Sequence, residues 1–219
     1  MTAAIVFDLD GTLVDSLADI AAAANRMLAD QGVAPLPEAT IRGFVGNGLP
    51  KLVERVMVHC GLDLDRHPDL TQTTLRHYTA ASSARTRPYP GVAAALEALR
   101  LEGMSLGLCT NKPAAPARHI LRELALEPYF DAVIGGDTLD TRKPDPSHLL
   151  ATFDRLGRHS ARIFVGDSEV DAETAQRANV PFLLFSPGYR KSPLEQIPHD
   201  AAFDDFHALP QLIRPRVGA

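Results

Sequence analysis

Short runs of apolar residues recur along this chain with helix-compatible stretches between them, and that alternation constrains its fold more than any other feature. Ala4 to Phe7, Met104 to Cys109, Ala132 to Ile134, Arg162 to Val165 and Phe182 to Phe185 are bounded by Gly, Asp, Asn or Pro and predict buried strands. Gly91 to Glu102, Ala114 to Leu126, Ser147 to Leu156 and Glu169 to Ala178 carry helical spacing between them. A repeated strand-helix unit needs crossover connections, so the expected fold class is α/β: a doubly wound, mainly parallel sheet with helices on both faces.

Between the first strand and Gly91 this rhythm breaks. Leu17, Ile20, Ala24, Met27 and Leu28 share one helical face, and Leu49, Leu52, Val53, Val56 and Cys60 share another. Ser16 and Asp19 have the spacing of a helix N-terminus, and Thr86 to Gly91 reads as a return linker. Residues 1–16 and 85–219 are therefore expected to form an α/β core, with residues 17–84 as an all-helical insert.

Composition narrows the partners. Of 219 residues, 22 are Lys or Arg and 27 are Asp or Glu, a net charge of −5, which argues against a nucleic-acid polymer. The 45% hydrophobic share suits a folded core rather than disorder. The N-terminus shows no basic leader, and no apolar run reaches the roughly 18 residues of a membrane span, so a cytoplasmic location without a membrane partner is expected. Cys60 and Cys109 form no metal or redox motif and are expected to be thiols. His59, His67, His77, His119, His148 and His159 lack the spacing of a metal pair and are expected at the surface.

The first strand runs into Asp8-Leu9-Asp10-Gly11-Thr12. In a parallel sheet this places Asp8 at a carboxyl end, where ligands bind, and adjacent buried carboxylates call for a cation. A calcium loop fits poorly, because the glycine comes too early and the closing Glu is missing. The fourth strand ends likewise in Gly166-Asp167-Ser168-Glu169-Val170-Asp171, with Asp171 one helical turn beyond Asp167. Helix capping is the alternative for these two, but a second acidic strand end in the same sheet favours Mg²⁺. Thr110-Asn111-Lys112 follows the second strand and offers a hydroxyl and N–H groups to phosphoryl oxygens. Lys143 stands before Pro144 and Pro146, on constrained backbone.

Together these motifs resemble the haloacid dehalogenase superfamily over nearly the whole chain. Phe44-Val45-Gly46-Asn47-Gly48-Leu49, followed by Leu52-Val53-Glu54-Arg55, resembles its phosphoglycolate phosphatase branch. The resemblance implies that Asp8 is a nucleophile forming an aspartyl-phosphate and that Asp10 protonates the leaving alcohol and then activates water. It implies Mg²⁺ held by Asp8, the main-chain carbonyl of Asp10 and Asp167, with Asp171 in support, and phosphoryl oxygens held by Thr110 and Lys143, with Asn111 also binding substrate. An acid at Asp10 favours an alcohol over a halide leaving group, and the helical insert would be the cap. Gly46-Asn47-Gly48 opens a helix whose free N–H groups could bind a carboxylate, with Lys51 and Arg55 adding charge; a plain glycine-rich loop explains the same residues. The expected function is Mg²⁺-dependent hydrolysis of a small phosphate monoester, foremost 2-phosphoglycolate. Other phosphatases of the superfamily, a 5′-nucleotidase, a sugar phosphomutase and a phosphoacceptor signalling module remain alternatives, and monomer and homodimer both stay open.

Overall fold

The structure, a computed structural model, describes residues 3–81 and 84–217. Met1 and Thr2, part of the stretch on which the expectation of no leader was based, and Ser82 and Ser83, at the expected end of the insert, lie outside the described residues, as do Gly218 and Ala219. In chain order the elements are β1 (Ala3–Phe7), β2 (Val14–Asp15), α1 (Leu17–Asp30), α2 (Glu38–Arg42), α3 (Leu49–Cys60) and α4 (His67–Ala81). There follow β3 (Arg87–Pro88), α5 (Val92–Leu101), β4 (Ser105–Cys109), α6 (Ala114–Glu123), β5 (Ala132–Ile134) and α7 (Ser147–Leu156). The chain closes with β6 (Ala161–Gly166), α8 (Glu169–Ala178), β7 (Phe182–Phe185), β8 (Ala201–Phe203) and α9 (Leu209–Val217).

Six strands pair in parallel in the order β5-β4-β1-β6-β7-β8. All five residues of β1 are buried because both faces of the sheet are covered. Ala3, Ile5 and Phe7 pack in one core with Leu96 of α5, Ile120 of α6 and Ile213 of α9, while Ala4 and Val6 meet Leu149 and Phe153 of α7 and Ala172 of α8. A continuous apolar run results where a one-sided strand would alternate. Starting from β1 the chain winds outward to β4 and β5, then returns to β6 on the other side of β1 and winds outward again. The winding reverses at β1, so the carboxyl ends of β1, β4 and β6 frame the crevice in which such sheets bind ligands.

Helices α1 to α4 occupy the stretch between β1 and β3. The chain enters and leaves them through an antiparallel ribbon in which Val14 pairs with Pro88 and Asp15 with Arg87. That ribbon stands where sequence reading expected only a linker, since strands of two residues, one of them ending in proline, leave no periodic signal. Strand β8 was missed for the same reason of length.

Ser16 and Asp19 do not form the expected capping pair. Ser16 Oγ donates to Asp10 Oδ1 at 2.5 Å, and Asp19 Oδ2 accepts from Thr86 N at 2.8 Å and Thr86 Oγ1 at 2.7 Å. Asp19 thus joins the entering and leaving passages of the chain and Ser16 is turned back onto the loop after β1, so neither side chain closes α1. His148, expected at the surface, is fully buried on α7, since its helical face points to the sheet. Asn179 ends α8 in the left-handed region with φ 53° and ψ 50°, a conformation asparagine tolerates. Among the described residues, no helix is long and apolar enough to cross a membrane.

Candidate active site

Three carboxylates meet where the winding reverses. Asp8 follows β1, its N–H bonded to Val165 O at 2.9 Å, while Asp167 follows β6 and Asp171 lies in the first turn of α8. One carboxylate oxygen from each lies within 4.8 Å of the others, and all three residues are buried. Lys143 Nζ reaches them from the segment before α7, at 2.8 Å from Asp8 Oδ1 and 2.6 Å from Asp171 Oδ1. The second oxygen of Asp171 accepts from Ser168 N and Ser168 Oγ, so this residue serves as a helix cap and as the partner of Lys143 together.

Burial decides the proton affinities here. It pushes Asp8 up to about 7 against the pull of Lys143, with Asp171 and Asp10 adding to the rise. Burial, and then the charges of Asp171 and Asp8, likewise hold Asp167 well above the usual carboxylate range. Burial disfavours the charge of Lys143, but Asp171 and Asp8 outweigh it and raise the lysine above its ordinary value. Three carboxylates against one ammonium leave two negative charges unbalanced when all are ionised. An all-oxygen donor set with that excess fits a divalent cation such as Mg²⁺.

The loop after β7 closes the cluster from behind. Tyr189 N donates to Asp167 Oδ2 at 2.5 Å and Thr12 Oγ1 donates to Asp167 Oδ1 at 2.9 Å. A Cβ on Gly188 would lie 2.2 Å from Asp167 Cβ, so only glycine lets this loop approach so closely. The Tyr189 hydroxyl accepts from Ser16 N and Leu17 N and donates to Asp15 Oδ1, tying the same loop to the ribbon that leads into α1.

Asp10 is not one of the three clustered carboxylates. Both its oxygens lie 2.8 Å from Lys112 Nζ, which in turn sits 4.5 Å from the centre of the Tyr78 ring on α4. Asp8 and Asp10 open together onto a cavity of about 70 Å³, bordered by Thr110 and Asn111 at the end of β4 and by Gly46 and Gly48 before α3. Apolar side chains such as Ile20, Leu52 and Leu75 form its far wall.

The sequence profile of the haloacid dehalogenase-like hydrolases matches residues 5–185. This chain belongs to that family. A phosphoglycolate phosphatase of Cereibacter sphaeroides is 48% identical over 212 residues, covering 96% of this chain and 97% of the relative. One of Rhodobacter capsulatus is 41% identical over 215 residues, with 97% of each chain covered. A crystal structure described as a predicted phosphoglycolate phosphatase from Haemophilus somnus superimposes with a TM-score of 0.90 at 30% identity, covering 95% of this chain and 96% of that one.

In this haloacid dehalogenase-like hydrolase, the residues singled out from sequence do not all share one surface. Asp8, Asp10, Thr110, Asn111, Gly46 and Gly48 border the cavity, Asp167 borders a second, smaller pocket with Asp8, Asp10 and Gly46, and Lys143 bonds Asp8 and Asp171. The Asp10 side chain stands outside the group of Asp8, Asp167 and Asp171. Asn111 spends its amide on structure: Nδ2 donates to Gly46 O and Lys143 O, and Oδ1 accepts from Lys143 N. Asn47 and Arg55, expected at the substrate, are absent from the cavity lining. Arg55 instead donates to Asn47 Oδ1 and Phe44 O at 2.8 Å each, which braces the loop that carries Gly46 and Gly48. Lys51 pairs with Glu54 in solvent. Sequence reading assigned no role to Lys112, Tyr78 or the Gly188-Tyr189 loop. A lysine directly after Thr110-Asn111 was the available signal for the first, whereas the others become legible only once distant segments meet.

Proposed function

We propose that this enzyme is a phosphatase that hydrolyses 2-phosphoglycolate to glycolate and phosphate through an aspartyl-phosphate on Asp8. The observation that carries the reading is the convergence of Asp8 and Asp10 on one small cavity, backed by a buried cluster with an unbalanced negative charge. The relatives named above support the substrate. Residues 17–84 would act as the cap, with the ribbon of β2 and β3 as its hinge.

An oxygen of Asp8 attacks phosphorus as the ester bond breaks, and Asp10 gives a proton to the departing glycolate oxygen. Water then attacks the aspartyl-phosphate, Asp10 takes its proton, and Asp8 is released with phosphate. Lys143 orients Asp8 and, with Thr110, offers donors to the phosphoryl oxygens as their charge grows. Mg²⁺ fits Asp8, the Asp10 main-chain carbonyl and Asp167, with Asp171 in support, and when bound supplies charge neutralisation for phosphoryl transfer. Glycolate is small, and the apolar wall beneath the helices keeps bulk water from the acyl phosphate.

Phosphate release from 2-phosphoglycolate, hexose phosphates and nucleoside monophosphates tests the reading. The expected result is turnover foremost of 2-phosphoglycolate with Mg²⁺ and none after chelation; turnover that survives chelation, or prefers another ester, overturns it. A second expectation concerns pH. Asp8 rises from 3.8 to about 7 on folding, so between these values the folded state holds a proton that the unfolded chain lacks, and stability from this group falls as pH rises. Mg²⁺ competes with that proton. The rise in Tm caused by Mg²⁺ is therefore expected to be larger at pH 8 than at pH 5.5, and an equal rise at both would place the cation elsewhere.

A further inference from the structure

Lys112 is placed unusually for a residue with no part in the reaction just described. It is 8% exposed, lines the cavity beside Asp10, and is the one basic residue among the described residues bordering it. Its Nζ is held by both Asp10 oxygens and covered by the Tyr78 ring. Tyr78 comes from α4, across the cavity from the sheet; it is 5% exposed, and its hydroxyl has no hydrogen-bond partner other than Lys112 among the described residues. An ammonium can only donate to that oxygen, so the hydroxyl keeps its own proton for an acceptor in the cavity.

We propose that Lys112 and Tyr78 form the subsite for a carboxylate on the leaving group, and that Lys112 exchanges Asp10 for that carboxylate when substrate enters. The inference rests on the phosphoglycolate reading. Asp10 has to face the ester oxygen, and in a glycolate leaving group the carboxylate stands one methylene beyond that oxygen. A lysine already on Asp10 thus needs only a side-chain swing to meet it. Substrate carboxylate replaces one anionic partner of Lys112 with another, so the buried ammonium stays paired while Asp10 is released toward the ester oxygen. An uncharged alcohol offers no such exchange and leaves Lys112 on Asp10. Because Lys112 follows β4 and Tyr78 belongs to α4, the subsite is complete only with the helices seated over the sheet. Neither Arg55 nor Lys51 competes for the role, the first being engaged with Asn47 and Phe44 and the second with Glu54.

The test compares 2-phosphoglycolate with 2-hydroxyethyl phosphate, which carries a hydroxymethyl group where the other has its carboxylate. Wild type is expected to favour the carboxylate ester in kcat/KM, and Lys112→Met to lower that preference by about 30-fold or more, with KM for 2-phosphoglycolate carrying much of the loss. Tyr78→Phe, a conservative change should the first variant fold poorly, is expected to lower it about 3- to 10-fold. Lys112→Arg is expected to restore part of it. An equal loss on both esters would show that Lys112 acts only through Asp10 and would overturn the subsite. Turnover of both esters by wild type without preference overturns the subsite and leaves the phosphatase standing. No turnover of 2-phosphoglycolate overturns the parent reading and this one with it.

Discussion

Asp8→Asn is expected to lower phosphate release by about 10⁴-fold or more while leaving the protein folded. An amide matches the shape of the carboxylate but cannot form the acyl phosphate on which both half-reactions depend. Stability should move the other way. Burial and the charges of Asp171 and Asp10 already oppose ionisation of Asp8, so a neutral side chain relieves repulsion, and its amide oxygen can still accept from Lys143. A Tm in metal-free buffer at pH 8 that is equal to or above wild type, together with loss of phosphate release, is the expected pair of results. Retained turnover would remove Asp8 from the mechanism.

Asp10→Asn should lower turnover by about 10²- to 10⁴-fold, the range of a positioned acid and base. The loss is expected to depend on the leaving group. p-Nitrophenolate departs without a proton, so phosphorylation of Asp8 by p-nitrophenyl phosphate should survive while water attack, which still lacks its base, stays slow. A burst of nitrophenolate equal to the enzyme concentration, followed by slow release, would mark the trapped aspartyl-phosphate in rapid-quench measurements. An equal loss on both ester types without a burst would confine Asp10 to binding. Ser16 and Lys112 both contact this carboxylate, so the variant also probes how the ribbon and the cavity share it.

Much of this arrangement is legible in the sequence because it depends on short-range chemistry. Apolar runs with helical stretches between them oblige a parallel sheet, and acidic residues directly after β1 and β6 have to lie at its carboxyl ends. Lys143 stood out through its neighbouring prolines. Two-residue strands were not legible, since pairing across the 70 or so residues between Val14 and Pro88 leaves no local period. Nor was the fate of Ser16 and Asp19, whose spacing matches a helix cap but whose oxygens find partners elsewhere.

Sequence alone determined the fold class, the family and the acidic strand ends, because periodicity and consecutive motif residues are properties of the chain itself. Tertiary structure decided which polar groups face one another. It set Asp10 against Lys112 rather than the acidic cluster, turned Arg55 onto Asn47, and brought Tyr78 over a lysine 34 residues away in the chain. Such pairings follow from where packed elements bring side chains within bonding distance, and that distance is fixed only when the helices sit against the sheet.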